Sequence, residues 1–223
     1  MTQARIPETD SGIQGEFNVQ LFDEFQKKMR DRGWIETDRI IEHGISSGLA
    51  LELGPGPGYL GLEWLRKTEQ TKLRALEISR DMIGIAETNA RSYGFPAERV
   101  TYLQGTAMAL PFDDGTFDGV FSNGSLHEWE HPVSVFKELY RVLRPGGRFF
   151  VSDLRRDMNP LLRFFIRALT KPKEIRPGFI TSVRAAYIEP ELRNILTRAG
   201  INEFTINSGK VGFEIVGVKR HVR

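Results

Sequence analysis

Apolar positions along the chain follow two alternating rhythms. "GLALEL" (48–53), "KLRALEI" (72–78), "RVTYLQG" (99–105), "FDGVFSN" (117–123) and "GRFFVSDL" (147–154) are short runs of Leu, Val, Ile and Phe bounded by Gly, Asn or charge. Such runs read as strands buried on both faces. Between them the period changes to that of a helix. "YLGLEWLRKT" starts near Tyr59, "RDMIGIAETNARSYG" has Ser79 as its cap and ends at Gly94, and "PVSVFKELYRVL" carries Pro132 in its first turn. Strand–helix alternation predicts a parallel sheet with helices on both faces. Upstream, residues 16–31 place Val19, Phe22, Phe25 and Met29 on one helical face, and "WIETDRIIEHG" predicts a second helix. Downstream, "EPELRNILTRAG" is a helix, and "FTINSG" and "VGFEIVGVKR" form an antiparallel pair of strands. Residues 1–15 are polar and predict a loosely docked terminus.

Composition narrows the chemistry. The chain has 223 residues, 40% of them hydrophobic, which suits one domain of ordinary size or a domain with a cap. It contains no cysteine, which removes disulfides, thiolate nucleophiles and cysteine-held metals from consideration. No apolar run is long enough to span a bilayer, and "MTQARIPETDSG" has no secretion-type apolar segment, so a cytoplasmic location is expected. Net charge is +2, too little to argue for nucleic acid.

"LELGPGPGYLG" (51–61) joins the first strand to a helix. Glycines at such a junction let a backbone approach a ligand at the carboxyl edge of a sheet. Gly56, Gly58 and Gly61 spell a literal Gly-x-Gly-x-x-Gly, which also fits a dinucleotide site. Pro55 and Pro57 have no N–H, however, and a pyrophosphate cradle works by aiming N–H groups at an anion. The loop is better suited to a ligand without phosphate, such as S-adenosylmethionine.

These residues resemble the E/D-x-G-x-G-x-G motif of class I S-adenosylmethionine-dependent methyltransferases, with Glu52, Gly54, Gly56 and Gly58 at its positions. "LRALEIS", "GTAMALPFDDGTFDGVFSN" and "ELYRVLRPGGRFFVSD" resemble later segments of that family, in its order, over about residues 48–153. The resemblance is to the small-molecule subgroup that includes quinone-biosynthesis (methyltransferase type 11) enzymes. It implies an α/β, Rossmann-like, seven-stranded, mostly parallel sheet with helices on both faces and an antiparallel C-terminal strand. The pattern along the chain predicts a helical cap (1–45) and a methyltransferase domain (46–223) with a basic lid-like insertion at 154–187.

The resemblance also implies roles. Glu77 holds the ribose hydroxyls, Glu52 the methionine end, and Ile78 lies against adenine. Thr106 stands where the family carries an aspartate for the adenine amino group, and the Ala107 N–H donates to the same ring. Asn123, at the end of the fourth strand, borders the methionine end. In "FSNGSLHEWEHP", His127 occupies the first position of the family's histidine pair and is the candidate base; Glu128 replaces the second. A structural histidine bonding a nearby loop is the competing reading. "HEWEH" fits H-E-x-x-H literally, but a strand precedes it and Pro132 follows, so no metal is expected.

Residues 154–187 hold eight Lys/Arg against Asp157 and Glu174. "PLLRFFIRALT" is an amphipathic helix with Leu161, Phe165, Ala168 and Leu169 on one side. It reads as a lid over the acceptor, as a helix packed on the sheet with solvated arginines, or as a contact with a membrane surface or a lipid-like acceptor. The expected partner is a small molecule, apolar or anionic. The Asn/Asp-Pro-Pro-Tyr/Phe segment used on nucleobase amines is absent, so nucleic acid is not expected. Methyl transfer stands first among the functions; an NAD(P)-dependent oxidoreductase and a non-catalytic cofactor-binding protein remain as alternatives.

Overall fold

Along β1 (Leu49–Leu53) the side chains alternate between two apolar layers: Leu51 and Leu53 pack on one face of the sheet, Ala50 and Glu52 on the other. The same two-residue rhythm places Val120 and Phe121, then Phe149 and Phe150, on opposite faces. Both faces are therefore apolar, as a parallel sheet covered by helices requires. The computed structural model of the chain describes residues 4–8 and 12–220.

The remaining strands are β2 (Lys72–Glu77), β3 (Val100–Gln104), β4 (Phe117–Asn123), β5 (Leu143–Leu154), β6 (Phe204–Ser208) and β7 (Gly212–Val218). They form one sheet in the order β3-β2-β1-β4-β5-β7-β6, with β7 antiparallel to both β5 and β6 and the other pairs parallel. This is the Rossmann-like seven-stranded sheet with an antiparallel C-terminal strand. The order reverses between β1 and β4, and ligands bind at the carboxyl edge of such a switch point.

The helices are α1 (Glu16–Asp31), α2 (Thr37–Glu42), α3 (Tyr59–Lys67), α4 (Arg80–Ser92), α5 (Pro132–Val142), α6 (Pro160–Leu169), α7 (Arg176–Ala185) and α8 (Glu189–Arg198). One core layer gathers Ile40, Leu62, Trp64 and Leu65 of α2 and α3 with Phe121 and Phe150 of the sheet. The other gathers Phe136 and Leu139 of α5 and Leu192 and Leu196 of α8 with Val120 and Phe149. Ser79 caps α4 by accepting from the Met82 N–H at 3.2 Å. α2 is shorter than its sequence pattern, and Trp34 lies exposed before it. α7 has no clear apolar period, and the sequence does not announce it.

The terminus differs from its polar composition. Ile6 N–H donates to Arg184 O (3.1 Å), and Arg5 donates to Ala185 O (2.5 Å) and His127 O (2.8 Å) while stacking over Tyr187. Further on, Ser79 Oγ donates to Ile13 O (2.6 Å) and Gly15 N–H to Asp81 (2.9 Å). Residues 4–8 and 12–15 thus form a strap between α7 and the start of α4, and the expectation of a loose terminus over residues 1–3 and 9–11 lies outside the described residues.

Candidate cofactor cleft and its acceptor side

The loop after β1 takes up positive φ at Gly54, Gly56 and Gly58 (66°, 54° and 86°) and delivers α3 against the sheet. At Gly61, one turn into α3, a Cβ would stand 2.2 Å from Glu52 Oε2 and 2.4 Å from Leu73, so only glycine lets the helix sit this close. The result is a cleft at the carboxyl edge, lined by Glu52, Gly54, Gly56, Glu77, Ile78, Thr106, Ala107 and Asn123 among others. Eight residues expected at the cofactor therefore meet in one place. Gly58 does not face it; its missing side chain makes room for the Tyr102 hydroxyl.

Two carboxyls set the character of the cleft. Glu77, at the tip of β2, accepts from Gly56 N–H (3.1 Å) and Ser79 N–H (3.0 Å), one bond to each oxygen. The loop and the cap of α4 are thereby tied to one side chain, whose pKa burial raises despite these donors. Glu52 is buried in the layer beneath α3, and its Oε2 has no hydrogen-bond partner. Burial, and then the neighbouring charge of Glu77, push its pKa up to about 8, with the Gly61 N–H offsetting part of the rise. An orphaned, buried acceptor is costly in a folded protein and marks a group kept for a ligand.

Thr106 and Ala107 form the floor at the far end, where Thr106 Oγ1 already accepts from Met108 N–H (3.2 Å). Asn123 is held by its donation to Ser152 Oγ (2.8 Å). Phe22 of α1 and residues Gly12 and Ile13 of the strap close the cleft from outside.

On the acceptor side, a single 3₁₀ turn, Leu126–Glu128, follows β4. It turns His127 inward and Glu128 onto the cleft wall. His127 Nδ1 lies 2.9 Å from Asp153, whose carboxylate also accepts the His127 N–H at 2.7 Å. Nε2 lies 3.3 Å from Glu8 of the strap. Burial alone would lower the imidazole pKa, but the charge and hydrogen bond of Asp153, with Glu8 and Glu128, raise it to about 10. At neutral pH His127 is a cation spending both N–H groups on acids, and it does not line the cleft. Glu128 does, and burial together with nearby carboxylates brings its pKa to about 7 against the opposing pull of His127. That value suits proton transfer near neutrality. His131 is exposed at the start of α5, so the two histidines of "HEWEH" share no helix face. Glu8, His127 and Glu128 do converge within 4.8 Å, a grouping that needs the remote Glu8 and cannot be read from local spacing.

None of residues 154–187 lines the cleft. Leu60, Met108, Trp129 and Val135 add an apolar and aromatic share to its wall, beside the polar Gln26, Ser125 and Glu130, and Trp129 is set edge-on to Phe136 at 5.4 Å. Among the described residues no Lys or Arg lines it.

The donors and acceptors fit S-adenosylmethionine. An acidic pair stands at the β1 and β2 tips, one oxygen of it waiting for a cation, and no basic group awaits a phosphate. Comparison with known proteins agrees. Residues 51–151 match the model of the methyltransferase domain family. A demethylmenaquinone methyltransferase of Roseiflexus castenholzii is 28% identical over 204 residues, covering 85% of this chain and 84% of that protein. The ubiquinone/menaquinone biosynthesis C-methyltransferase UbiE of Roseobacter denitrificans is 28% identical over 113 residues, 51% of this chain and 45% of that one. The crystal structure of a protein of Methanococcus maripaludis, described as S-adenosylmethionine-dependent methyltransferase, superposes with a TM-score of 0.74 at 26% identity, covering 96% of this chain and 98% of that one. Residues 51–151 carry a methyltransferase domain, and the chain is similar along most of its length to S-adenosylmethionine-dependent methyltransferases, whose methyl transfer these likenesses support.

Proposed function

We propose that the chain methylates an uncharged small molecule with an apolar or aromatic body, of the kind represented by a quinol ring. The observation that carries this is the lining of the cleft: Leu60, Met108, Trp129 and Val135 stand in it with no cation among the described residues, and Glu128, on the turn after β4, is poised to exchange a proton. An anionic acceptor would meet the carboxyls of Glu52, Glu77, Glu128 and Glu130 with nothing to balance them. Two of the relatives are named for quinone biosynthesis, which is consistent with such a ring.

The bound sulfonium supplies an activated methyl group, so the protein's part is alignment and a dry site. In this reading Glu77 accepts from the ribose hydroxyls and Glu52 faces the ammonium of the methionine end. Ile78, Thr106 and Ala107 hold adenine, and Asn123 borders the methionine end. Gly54 and Gly56 give the close approach, while Gly58 serves the packing of α3. Glu128, rather than His127, takes a proton from an acceptor hydroxyl or ring carbon; His127 holds the turn that presents it. A small-molecule partner, rather than nucleic acid, is supported by the absence of Lys and Arg from the lining among the described residues.

The test is methyl transfer from labelled S-adenosylmethionine to a panel of naphthoquinols, phenols, amines and carboxylates, read by mass of the product. Turnover of quinols or phenols, lost in Glu128→Gln but retained in part by His127→Gln, is expected. Turnover confined to carboxylates or amines would overturn the acceptor class without touching the cofactor.

A further inference from the structure

Most of the chain's amphipathic helices put their apolar side against the sheet; α6 does not. None of its ten residues is buried. Leu161 is 64% exposed, Phe164 59%, Phe165 52% and Leu169 74%. At about 100° per residue these four side chains fall within an arc of roughly 140°, on one side of the helix. Leu162 and Ile166, half-buried, fall on the neighbouring arc. Four large side chains left more than half uncovered expose on the order of 400 Å² of apolar surface, a size that marks an interaction site.

The surroundings of that face are basic. Arg167 borders that arc beside Phe164, Arg163 lies on the opposite, half-buried side of α6, and Lys171 and Lys173 follow at its end, with Asp157 and Glu174 the nearest acids in sequence on either side. A shallow basin beside α6 is lined by Leu161, Leu162, Phe165, Asn159 and the cations Arg155 and Lys210, with Asp157 engaging Arg155. Next to Lys210, in the turn between β6 and β7, Val211 is exposed as well. Apolar side chains ringed by Lys and Arg are what a helix lying in the interface of an anionic bilayer presents: hydrocarbon at acyl depth, cations at the level of the phosphates. Among the described residues no helix is long and apolar enough to cross a membrane, so this would be contact from one side. α6 follows β5 at the carboxyl edge of the sheet, the edge that holds the cleft.

We propose that α6, with the β6–β7 turn, docks the protein on an anionic lipid bilayer. The face is amphipathic and cationic together, which favours a lipid surface over a second copy of this chain, whose own α6 would bring like charge against like. The proposal stands whichever small molecule is methylated.

The experiment is co-sedimentation of the full chain with large unilamellar vesicles of phosphatidylcholine, with and without one-third phosphatidylglycerol, across a salt series. Expected is binding to the phosphatidylglycerol vesicles that weakens as salt rises. Phe164→Ser/Phe165→Ser should reduce it about tenfold or more, and Arg167→Glu/Lys171→Glu should remove its preference for anionic lipid. These residues are outside the cleft, so each variant should keep wild-type affinity for S-adenosylmethionine by calorimetry, which certifies its fold. Leu161→Ser/Leu169→Ser repeats the test should the phenylalanine pair fail that check. Equal binding to neutral and anionic vesicles, no binding to either, or undiminished binding by both serine pairs overturns the proposal. So does self-association in sedimentation velocity that the serine pairs abolish while vesicles stay unbound: the face would then belong to a second copy.

Discussion

The two ends of the cleft are built by opposite means. At the cofactor end, two carboxyls and a glycine loop lie within the 26 residues from Glu52 to Glu77 on adjacent strands, and their geometry is fixed by backbone. Glu77 takes two N–H groups, and Gly61 lets α3 rest on Glu52. At the acceptor end the same polar atoms are satisfied across the chain: His127 bonds Asp153 on one side and Glu8 on the other, and Arg5 bonds the carbonyls of Ala185 and His127. The first end leaves an acceptor oxygen open for a ligand; the second closes its charges on one another. A site for an invariant ligand can be rigid and local. A site that admits one acceptor and excludes water is assembled from pieces that can part.

The sharpest way to break this contrast is to remove its central cation. In His127→Ala the Asp153 carboxylate, almost wholly buried, loses its counter-charge and keeps only backbone donors. An uncompensated buried charge costs about 3–5 kcal/mol, so urea unfolding at pH 7 should show a loss of that order. His127→Gln, which retains one donor, should lose less. A near-neutral His127→Ala would mean that the acceptor end does not depend on its charge network.

At the cofactor end the largest effect should be on binding. Glu77→Ala removes the acceptor at the β2 tip and releases Gly56 and Ser79, and should weaken S-adenosylmethionine at least about tenfold by calorimetry, about 1.4 kcal/mol. Unchanged affinity in the folded variant would sink the ribose assignment. Glu52 sharpens the comparison through pH. Its pKa is raised to about 8 in the free protein, so at pH 7 it holds a proton that a bound ammonium displaces. Affinity should rise with pH up to about 8, and the binding heat should vary with the ionisation heat of the buffer. Glu52→Gln should abolish both. The same shift makes a stability prediction. A carboxyl whose folded pKa is raised favours the fold below its unfolded pKa and loses that advantage as pH rises through about 8. The Tm of Glu52→Gln should therefore gain on wild type as pH goes from 5 to 8.

The difference between the ends also decides what the residues disclose in order. The sheet, its strand sequence and the glycine loop are legible because each rests on short-range rules: apolar alternation, a serine cap, glycines at a turn. Glu52 and Glu77 stand at fixed offsets from those strands, so their place follows from the same rules. His127 is legible as a position but not as a state, because the acids that charge it, Asp153 and Glu8, come from 26 residues later and from the terminal strap. Nothing in "RIPE" signals docking, since its bonds run through the Ile6 backbone and two charged side chains. α6 is legible as an amphipathic helix, yet its period cannot say whether the apolar side meets the sheet or solvent; that depends on tertiary packing.

The smallest effect tests whether the acceptor end is closed by the strap. Glu8 is held by His127, and its pKa is lowered by that contact and by Thr181 and Ser182, although burial acts the other way. Glu8→Ala removes one charged hydrogen bond and leaves those of Arg5 and Ile6, so the loss at pH 7 should be about 1 kcal/mol by urea unfolding. The sign of its pH dependence follows from His127. An imidazole whose pKa is raised in the fold contributes stability that is full below about 6.5 and is lost as pH rises through about 10. Glu8 stabilises only the protonated ring, so the gap between Glu8→Ala and wild type should close above pH 10. In NMR titration the variant's imidazole should lose its proton at a lower pH than wild type does. A gap that persists unchanged at high pH would show that Glu8 holds the strap through Ser182 and Thr181 instead, leaving the His127 pair without a part in closing the cleft.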